Sequence, residues 1–334
     1  MILAGDVGGT NTRLGLFRNG SRGMVPVVEE RYPSQEFKSL EAIVREFVSA
    51  HRGRIGGCAV GVAGPVADGR SQVVNLRWSV DARRLARALG LGADRVHVLN
   101  DLEATAWGLL WLPPRKLRNL TPGLRAGSGN AALIAAGTGL GMALLIRERD
   151  GFRPYPSEGG HQQFGPRDEL EIELLRFLMR RLGRVSIERL VSGPAISAIY
   201  RFLLERRRQR EPDWLGRRLA AGEDPNALIT EMGLAGEDAV ARETLELFVS
   251  LYGAAAGDLA LVAKATGGVY VGGGIAPRML PLLESGAFVQ AFRDKGRLTP
   301  LVETIPIKVI VEPRTALIGA AARAAAERQR SARR

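Results

Sequence analysis

The chain has 334 residues, of which 46% are hydrophobic and 25% charged, with a formal net charge of +12, three His and one Cys. That composition is ordinary for a globular protein long enough to form two domains with a cleft between them, and it argues against disorder or a fibrous repeat. A single cysteine, Cys58, can form no internal disulfide and, with so few His, no Cys-rich zinc site, so any metal used is expected to be a hard, oxygen-seeking one.

Residues 2–4 and 14–17 are short apolar runs separated by Gly5-Asp6-Val7-Gly8-Gly9-Thr10-Asn11-Thr12-Arg13, a pattern of strand, glycine-rich turn, strand. Because a strand and not a helix follows the glycines, neither the P-loop nor the Rossmann fingerprint is present. Residues 40–48 have helical spacing, and 58–63 read as a buried strand ending in Gly64-Pro65. A strand over 96–99 delivers Asn100-Asp101 at its carboxyl end, before a helix over 102–110. Pro113-Pro114 and the Gly-, Pro-, Ser- and Asn-rich stretch 119–129 mark the expected linker. Beyond it, residues 131–136, then Gly137-Thr138-Gly139-Leu140-Gly141, then 142–146 repeat the opening arrangement, which suggests internal symmetry. The second half continues through 155–165 into helices over 168–182 and 194–208, with a long helical region over 237–265. A strand over 269–271 leads to Gly272-Gly273-Gly274-Ile275, with a further helix expected from Pro277. A last strand over 307–311 and an Ala-rich helix over 315–328, suited to pack back on the first domain, complete the chain. The expected organisation is a smaller α/β domain of 1–112 plus 302–334 and a larger one of 113–301, the chain crossing between them twice. No apolar run approaches ~20 residues, and the N-terminus has no signal-peptide pattern, so a cytoplasmic location without membrane contact is expected.

The charge of +12 would ordinarily point to nucleic acid. Only five basic residues are Lys and 42 are Arg, a bias that base composition alone can produce. The densest clusters, Arg206-Arg207-Arg208 with Arg210 and the tail 328–334, have no aromatic residues interleaved for stacking and read as solvated surface or a chain end. No specific nucleic-acid partner is expected.

Several polar groups carry candidate chemistry. In the first turn, glycines let backbone N–H groups approach a phosphate, and Thr10 and Asn11 add donors. Asp6 is the only anion there and would repel phosphates unless a cation intervened, which suggests Mg²⁺ held through water. A tight hairpin whose Asp caps its own turn is the competing reading. The second turn, Gly137-Thr138-Gly139, could clamp the same polyphosphate, and Gly272-Gly273-Gly274 could receive a ribose or adenine against bare backbone. Asp101 could act as a general base on a hydroxyl, with Asn100 positioning the same substrate, although spacing alone favours Asp101 as a helix cap. Glu158-Gly159-Gly160-His161 forms a polar turn able to bind vicinal hydroxyls, or a solvated surface loop. Glu188 reads from spacing as an ordinary helix-face residue.

In this order and spacing, the Gly5–Asn11 stretch, Asn100-Asp101, Gly137-Thr138-Gly139-Leu140-Gly141, Glu158-Gly159-Gly160-His161, Glu188 before Ser192-Gly193-Pro194, and Gly272-Gly273-Gly274-Ile275 resemble the bacterial ATP-dependent glucokinases, of the hexokinase and actin-like ATPase superfamily. The stretch Phe-Arg-Asp-Lys-Gly-Arg over 292–297 adds specificity, and the resemblance covers nearly the whole chain. It implies two ribonuclease H-like α/β domains with mixed sheets flanking a central cleft, and transfer of the ATP γ-phosphoryl group to the 6-hydroxyl of glucose at the entry to glycolysis. It further implies Asp101 as the base, and Asn100, Asp101, Glu158, His161 and Glu188 as glucose contacts. Gly5, Asp6, Val7, Gly8, Gly9, Thr10 and Asn11 correspond to the first phosphate loop, Gly137, Thr138 and Gly139 to the second, and Gly272, Gly273 and Gly274 to the adenosine side. A homodimer is implied as well. No cysteine follows Gly160-His161, so the structural zinc of ROK sugar kinases is not expected, and a first loop beginning at residue 5 leaves no room for a repressor's helix-turn-helix. Residues 205–238 match nothing in the pattern. Two other readings stand beside this one: a kinase for mannose, fructose or an N-acetylhexosamine, and a non-catalytic nucleotide- or sugar-binding regulator of the same superfamily.

Overall fold

The computed structural model describes residues 1–20, 23–51, 53–73, 76–149 and 151–332, with side chains to residue 326, so the basic tail from 328 lies outside the described side chains. The chain forms two compact units. One comprises Met1–Lys116, Phe152–Pro156 and Glu312–Arg334, the other Leu117–Gly151 and Ser157–Val311.

The first unit opens with β1 (Ile2–Val7), β2 (Asn11–Gly20) and β3 (Gly23–Pro33), followed by α1 (Leu40–Ala50) and β4 (Cys58–Val62). The short β5 (Arg70–Gln72) and β6 (Ser79–Asp81) form a separate ribbon before α2 (Ala82–Leu89), β7 (Val96–Asn100) and α3 (Asp101–Leu109). The main sheet has the order β3-β2-β1-β4-β7, antiparallel across β3, β2 and β1 and parallel across β1, β4 and β7. Alternation along β1 explains its two-sided burial. Leu3 and Val7 join Cys58, Val60 and Val62 in a core covered by Ile43, Val44 and Phe47 of α1 and Leu85 of α2. Ile2 and Ala4 face the other way, with Ala59, against the C-terminal helix. Cys58 is fully buried, which pushes its thiol up to about 12 and leaves it unreactive.

The second unit begins with β8 (Leu117–Asn119), β9 (Ala131–Ala136) and β10 (Leu140–Glu148); β11 (Gly151–Ser157) follows, its Phe152–Pro156 belonging to the first unit. Five helices follow: α4 (Glu169–Leu182), α5 (Gly193–Arg206), α6 (Asp213–Ala220), α7 (Pro225–Ala235) and α8 (Ala239–Ala263). Then come β12 (Gly268–Gly272), α9 (Leu280–Glu284), α10 (Ala287–Arg293), α11 (Thr299–Val302) and β13 (Ile307–Ile310), and α12 (Thr315–Ala332) returns to the first unit. The sheet order is β11-β10-β9-β12-β13-β8. Its strands β10, β9, β12 and β13 repeat the order and directions of β2, β1, β4 and β7, the structural counterpart of the repeated strand–turn–strand pattern. The helix α8 is long and apolar enough to cross a membrane, but 67% of that stretch is buried within the protein, as befits a core helix.

The alanine pattern of α12 repeats every three to four residues, placing Leu317, Ala320, Ala321, Ala324 and Ala325 on β1 and β4. It crosses α3 so closely that a Cβ on Gly108 would lie 1.9 Å from Thr315 O, and one on Gly319 1.7 Å from Ala104 O. Glu312, at the unit boundary, is held by Lys116 Nζ at 2.9 Å and Arg314 Nε at 2.9 Å. Those cations, Arg314 first, lower its carboxyl to about 2.

Several expectations need correction. The units divide at 116/117 and 311/312, where 112/113 and 301/302 were expected, because β8 pairs with β13 and β13 with β12 inside the second sheet; Phe152–Pro156 also belongs to the first unit, so the chain passes between the units four times and not twice. The stretch 119–129 accordingly belongs to the second unit and is not a linker. The helix expected from Pro277 starts only at Leu280. Residues 205–238, left without a reading, form the end of α5 together with α6 and α7.

Candidate active site

In both sheets the parallel strands end on one edge, where side chains after the strand are free of ladder hydrogen bonds and can meet a ligand. In the first unit that edge carries Asp6 at the end of β1 and Asn100-Asp101 at the end of β7, with β4 between them in register: Asp6 opposite Gly61, Val62 opposite Asn100. Gly5 and Val7 are buried within β1, so they offer a ligand nothing but their strand position. The turn proper is Gly8-Gly9-Thr10, with Thr10 exposed and Asn11 opening β2. A buried serine braces it from outside. Ser34 Oγ donates to Gly8 O at 2.8 Å and shares a hydrogen bond with Thr12 Oγ1 at 2.9 Å, while Ser34 N donates to Thr10 O at 2.9 Å.

Asp6 is partly buried, and burial raises its pKa, opposed by the charge of Arg13, its cross-strand partner on β2. Arg13 also contacts Glu29, Nε to Oε1 at 3.3 Å, so the cation facing the Asp6 carboxylate is shared. Nothing in the sequence singled out Arg13 or Ser34, because their partners are set by sheet register and by the turn after β3.

The helix-cap reading of Asp101 is resolved locally. Asn100 is the N-cap of α3: its Oδ1 accepts from Leu102 N at 2.9 Å and its Nδ2 donates to Gly64 O at 3.1 Å. Asp101 is the first helical residue, its Oδ1 also accepting from Leu102 N at 2.9 Å, and its side chain is partly exposed at the helix start.

In the second unit, Glu158, His161 and Glu188 come together. Gln163 bridges to Ser186, Ile187 N donates to Gln162 O at 2.9 Å, and Phe164 N donates to Val185 O at 3.1 Å, which draws Glu188 beside the Gly159–His161 turn. His161 Nδ1 lies 3.9 Å from Glu188 Oε1 and its Nε2 lies 3.8 Å from Glu158 Oε2. Glu158 and His161 are well exposed and Glu188 is only 24% exposed. The other Glu188 oxygen, Oε2, accepts from Leu140 N at 3.1 Å, directly after the second glycine turn. One carboxylate therefore reaches both the hydroxyl-binding cluster and the second turn, which spacing could not reveal.

The second and third glycine stretches meet as well. Gly137 N donates to Gly139 O at 2.8 Å, closing the turn, and Ile275 N donates to Ala136 O at 3.3 Å, tying the third stretch to the second. Gly272 is buried at the end of β12 and Gly273 and Gly274 are exposed. Gly273 has φ +82, and a Cβ there would lie 2.1 Å from Ala136 O, so only glycine fits. Beside these turns opens a cavity of about 710 Å³, lined by Gly137, Thr138, Gly193, Pro194 and Ile196, by Gly274, Ile275, Arg278 and Met279, and by Asp224, Asn226, Ala227, Thr230, Glu231 and Leu234. The last group belongs to the segment that had no reading, where Asp224 caps α7 and Pro225 occupies its first turn. An Asp-Pro pair before an apolar run, with Gly236 in the left-handed region after it, was a legible helix signal.

The family model for glucokinase matches residues 3–327. The chain belongs to the glucokinase family. The glucokinase of Trichormus variabilis is 38% identical over 339 residues, spanning 96% of this chain and 98% of its own length. That of Synechocystis sp. is 38% identical over 348 residues, spanning 97% and 98%. Among solved structures, the glucokinase from an Antarctic psychrotroph has a TM-score of 0.84 at 30% identity, covering 97% of this chain and 98% of that one. A ROK family glucokinase from Streptomyces griseus, solved with glucose and AMPPNP, has a TM-score of 0.61 at 21% identity, covering 96% and 97%, a likeness of fold. This glucokinase-family chain is thus a phosphotransferase with the actin-like two-domain fold, each unit built on a ribonuclease H-like sheet.

Proposed function

We propose that the enzyme transfers the γ-phosphoryl group of Mg·ATP to the 6-hydroxyl of glucose, giving glucose 6-phosphate and ADP. The observation that carries the reading is the cavity of about 710 Å³ beside two glycine turns, within the range of small-molecule sites, its apolar and polar walls suited to a nucleoside, with Arg278 near the turns and Asp224 and Glu231 on the α7 side. Gly137, Thr138, Gly139, Gly273 and Gly274 would hold the donor there, and Asp6, Gly8, Gly9, Thr10 and Asn11 its phosphates. Asp6 fits a role toward Mg²⁺, since its partly buried carboxylate shares the Arg13 cation with Glu29. When bound, Mg²⁺ supplies charge neutralisation at the β and γ oxygens, and Asp6 would hold it through water.

Glu158, His161 and Glu188 orient the sugar hydroxyls, with Asn100 positioning it at the end of β7. The Asp101 carboxylate accepts the proton of the 6-hydroxyl as that oxygen bonds to phosphorus and the bond to the bridging oxygen of ADP breaks. Homodimerisation, a cytoplasmic location and a place at the entry to glycolysis complete the reading.

The test is ADP release with Mg·ATP across glucose, mannose, fructose, N-acetylglucosamine and no sugar. Glucose-dependent release about tenfold or more above every other condition is expected, because a site built to pair a hydroxyl rejects an epimer that leaves it unpaired. Equal release without sugar, or none, would overturn the reading. Asp101→Asn is expected to lower turnover by about 10³-fold with glucose and ATP affinities retained, and near-normal turnover would remove Asp101 from the base role.

A further inference from the structure

The strands β9 and β12 are parallel neighbours, and each ends in one of the two turns that border the cavity. Behind both ends lies a single side chain from α8. Tyr252 is 1% exposed, and its ring sits edge-on to Phe248 and Phe288, with centroids at 6.1 and 5.5 Å. Its hydroxyl accepts from Ala136 N at 3.1 Å and shares its one proton between Gly272 O at 3.2 Å and Ile134 O at 3.3 Å. Ala136 is the residue before Gly137, and Gly272 is the residue before Gly273.

A buried hydroxyl is costly unless bonded, and a phenyl ring would fill the same aromatic pocket without that cost. What the hydroxyl adds is a fixed link between the two strand ends. We propose that Tyr252 is a positioning residue for the phosphate donor, its hydroxyl setting the spacing of the two glycine turns. The inference rests on the reading above that these turns hold the nucleotide. The acceptor residues Glu158 and His161 are placed by other contacts, the pairing of 162–164 with 185–187, and only Glu188 also touches the second turn, through Leu140 N, so loss of the hydroxyl should act mainly on the donor side.

The experiment is Tyr252→Phe, with kcat, KM for Mg·ATP, KM for glucose and Tm measured on the full chain. A control, Phe177→Leu, weakens the same core where Phe177 packs on Phe202. For Tyr252→Phe, KM for Mg·ATP is expected to rise about three- to tenfold while KM for glucose stays within about twofold. Phe177→Leu should lower Tm and move neither constant. A lower Tm with an unchanged KM for Mg·ATP would make the hydroxyl merely structural and overturn the inference, as would equal increases in both constants. A wild-type chain that turns over no glucose with Mg·ATP defeats the functional reading itself, and the inference with it; that outcome shows before any variant is made.

Discussion

The turn after β1 and the turn after β9 each join the antiparallel pair that begins a five-strand sequence of the same order, yet they are stabilised by different means. The first has a carboxylate at its edge, Asp6, partly buried and facing Arg13, and is braced by the buried hydroxyl of Ser34. The second carries no charge of its own and borrows one: Glu188 accepts from Leu140 N on one side while Tyr252 holds Ala136 N from beneath. Equivalent strand order thus leaves one turn with a carboxylate of its own and the other held by contacts from two neighbouring elements. A turn that binds an anion with its own N–H groups needs rigidity, whereas a turn that also carries an anion needs a cation in reach.

The largest expected effect that separates the two is Asp6→Asn. Turnover at saturating Mg·ATP should fall by roughly 10²-fold, as for loss of a preorganised electrostatic contact. Stability should move the opposite way. Burial raises the folded-state pKa of Asp6 above its ordinary 3.8, so the folded chain binds more proton than the unfolded one across that window. Stability contributed by this group therefore falls as pH rises from 3.8 through the folded value, and stays lower above it. Asp6→Asn removes that dependence and should raise Tm at pH 7, read from thermal unfolding between pH 4 and 8; a lowered Tm would mean that Arg13 already compensates the charge in full.

Next in size is Glu188, the residue that links the second turn to the hydroxyl-binding cluster. Glu188→Gln keeps an oxygen for Leu140 N and should raise KM for glucose by about tenfold with little change for Mg·ATP. Glu188→Ala removes both contacts and should raise both constants. If Glu188→Gln leaves KM for glucose unchanged while Glu188→Ala raises KM for Mg·ATP, the carboxylate serves the turn alone. The smallest effect is expected at Ser34→Ala, which loses the bonds to Gly8 O and Thr12 and should cost about 1–2 kcal/mol in urea unfolding, with KM for Mg·ATP rising by about threefold. An unchanged stability would show that Thr12 and water replace the brace.

Much of the fold was legible because it rests on short-range signals. The apolar runs of β1, β4, β7, β9 and β12 are continuous as strands buried on both faces must be, and the glycine stretches mark where they end. The misplaced boundary at 301/302 has a clear cause, since β13 looks the same whichever sheet it joins, and only pairing with β12 and β8 assigns it. The helices α6 and α7 were missed because arginine-rich polarity masked an Asp-Pro start that was present at Asp224. Ser34, Arg13 and Tyr252 were illegible for a different reason. Each acts through a partner 7 to 118 residues away, for which the sequence has no periodicity to read.

By itself the sequence determined the strand–turn–strand repeats, the absence of a helix after the first glycines, and the order of motifs that resembles glucokinases, because these depend on backbone conformation and on residue identity at close spacing. The tertiary structure alone decided that Asn100 and not Asp101 caps α3, that Gly5 and Val7 lie buried in a strand, that Glu188 joins His161 to the second turn, and that α7 walls the cavity. Such facts depend on which groups are desolvated together and which hydrogen bonds they find there, and desolvation is a property of packing, not of sequence neighbours.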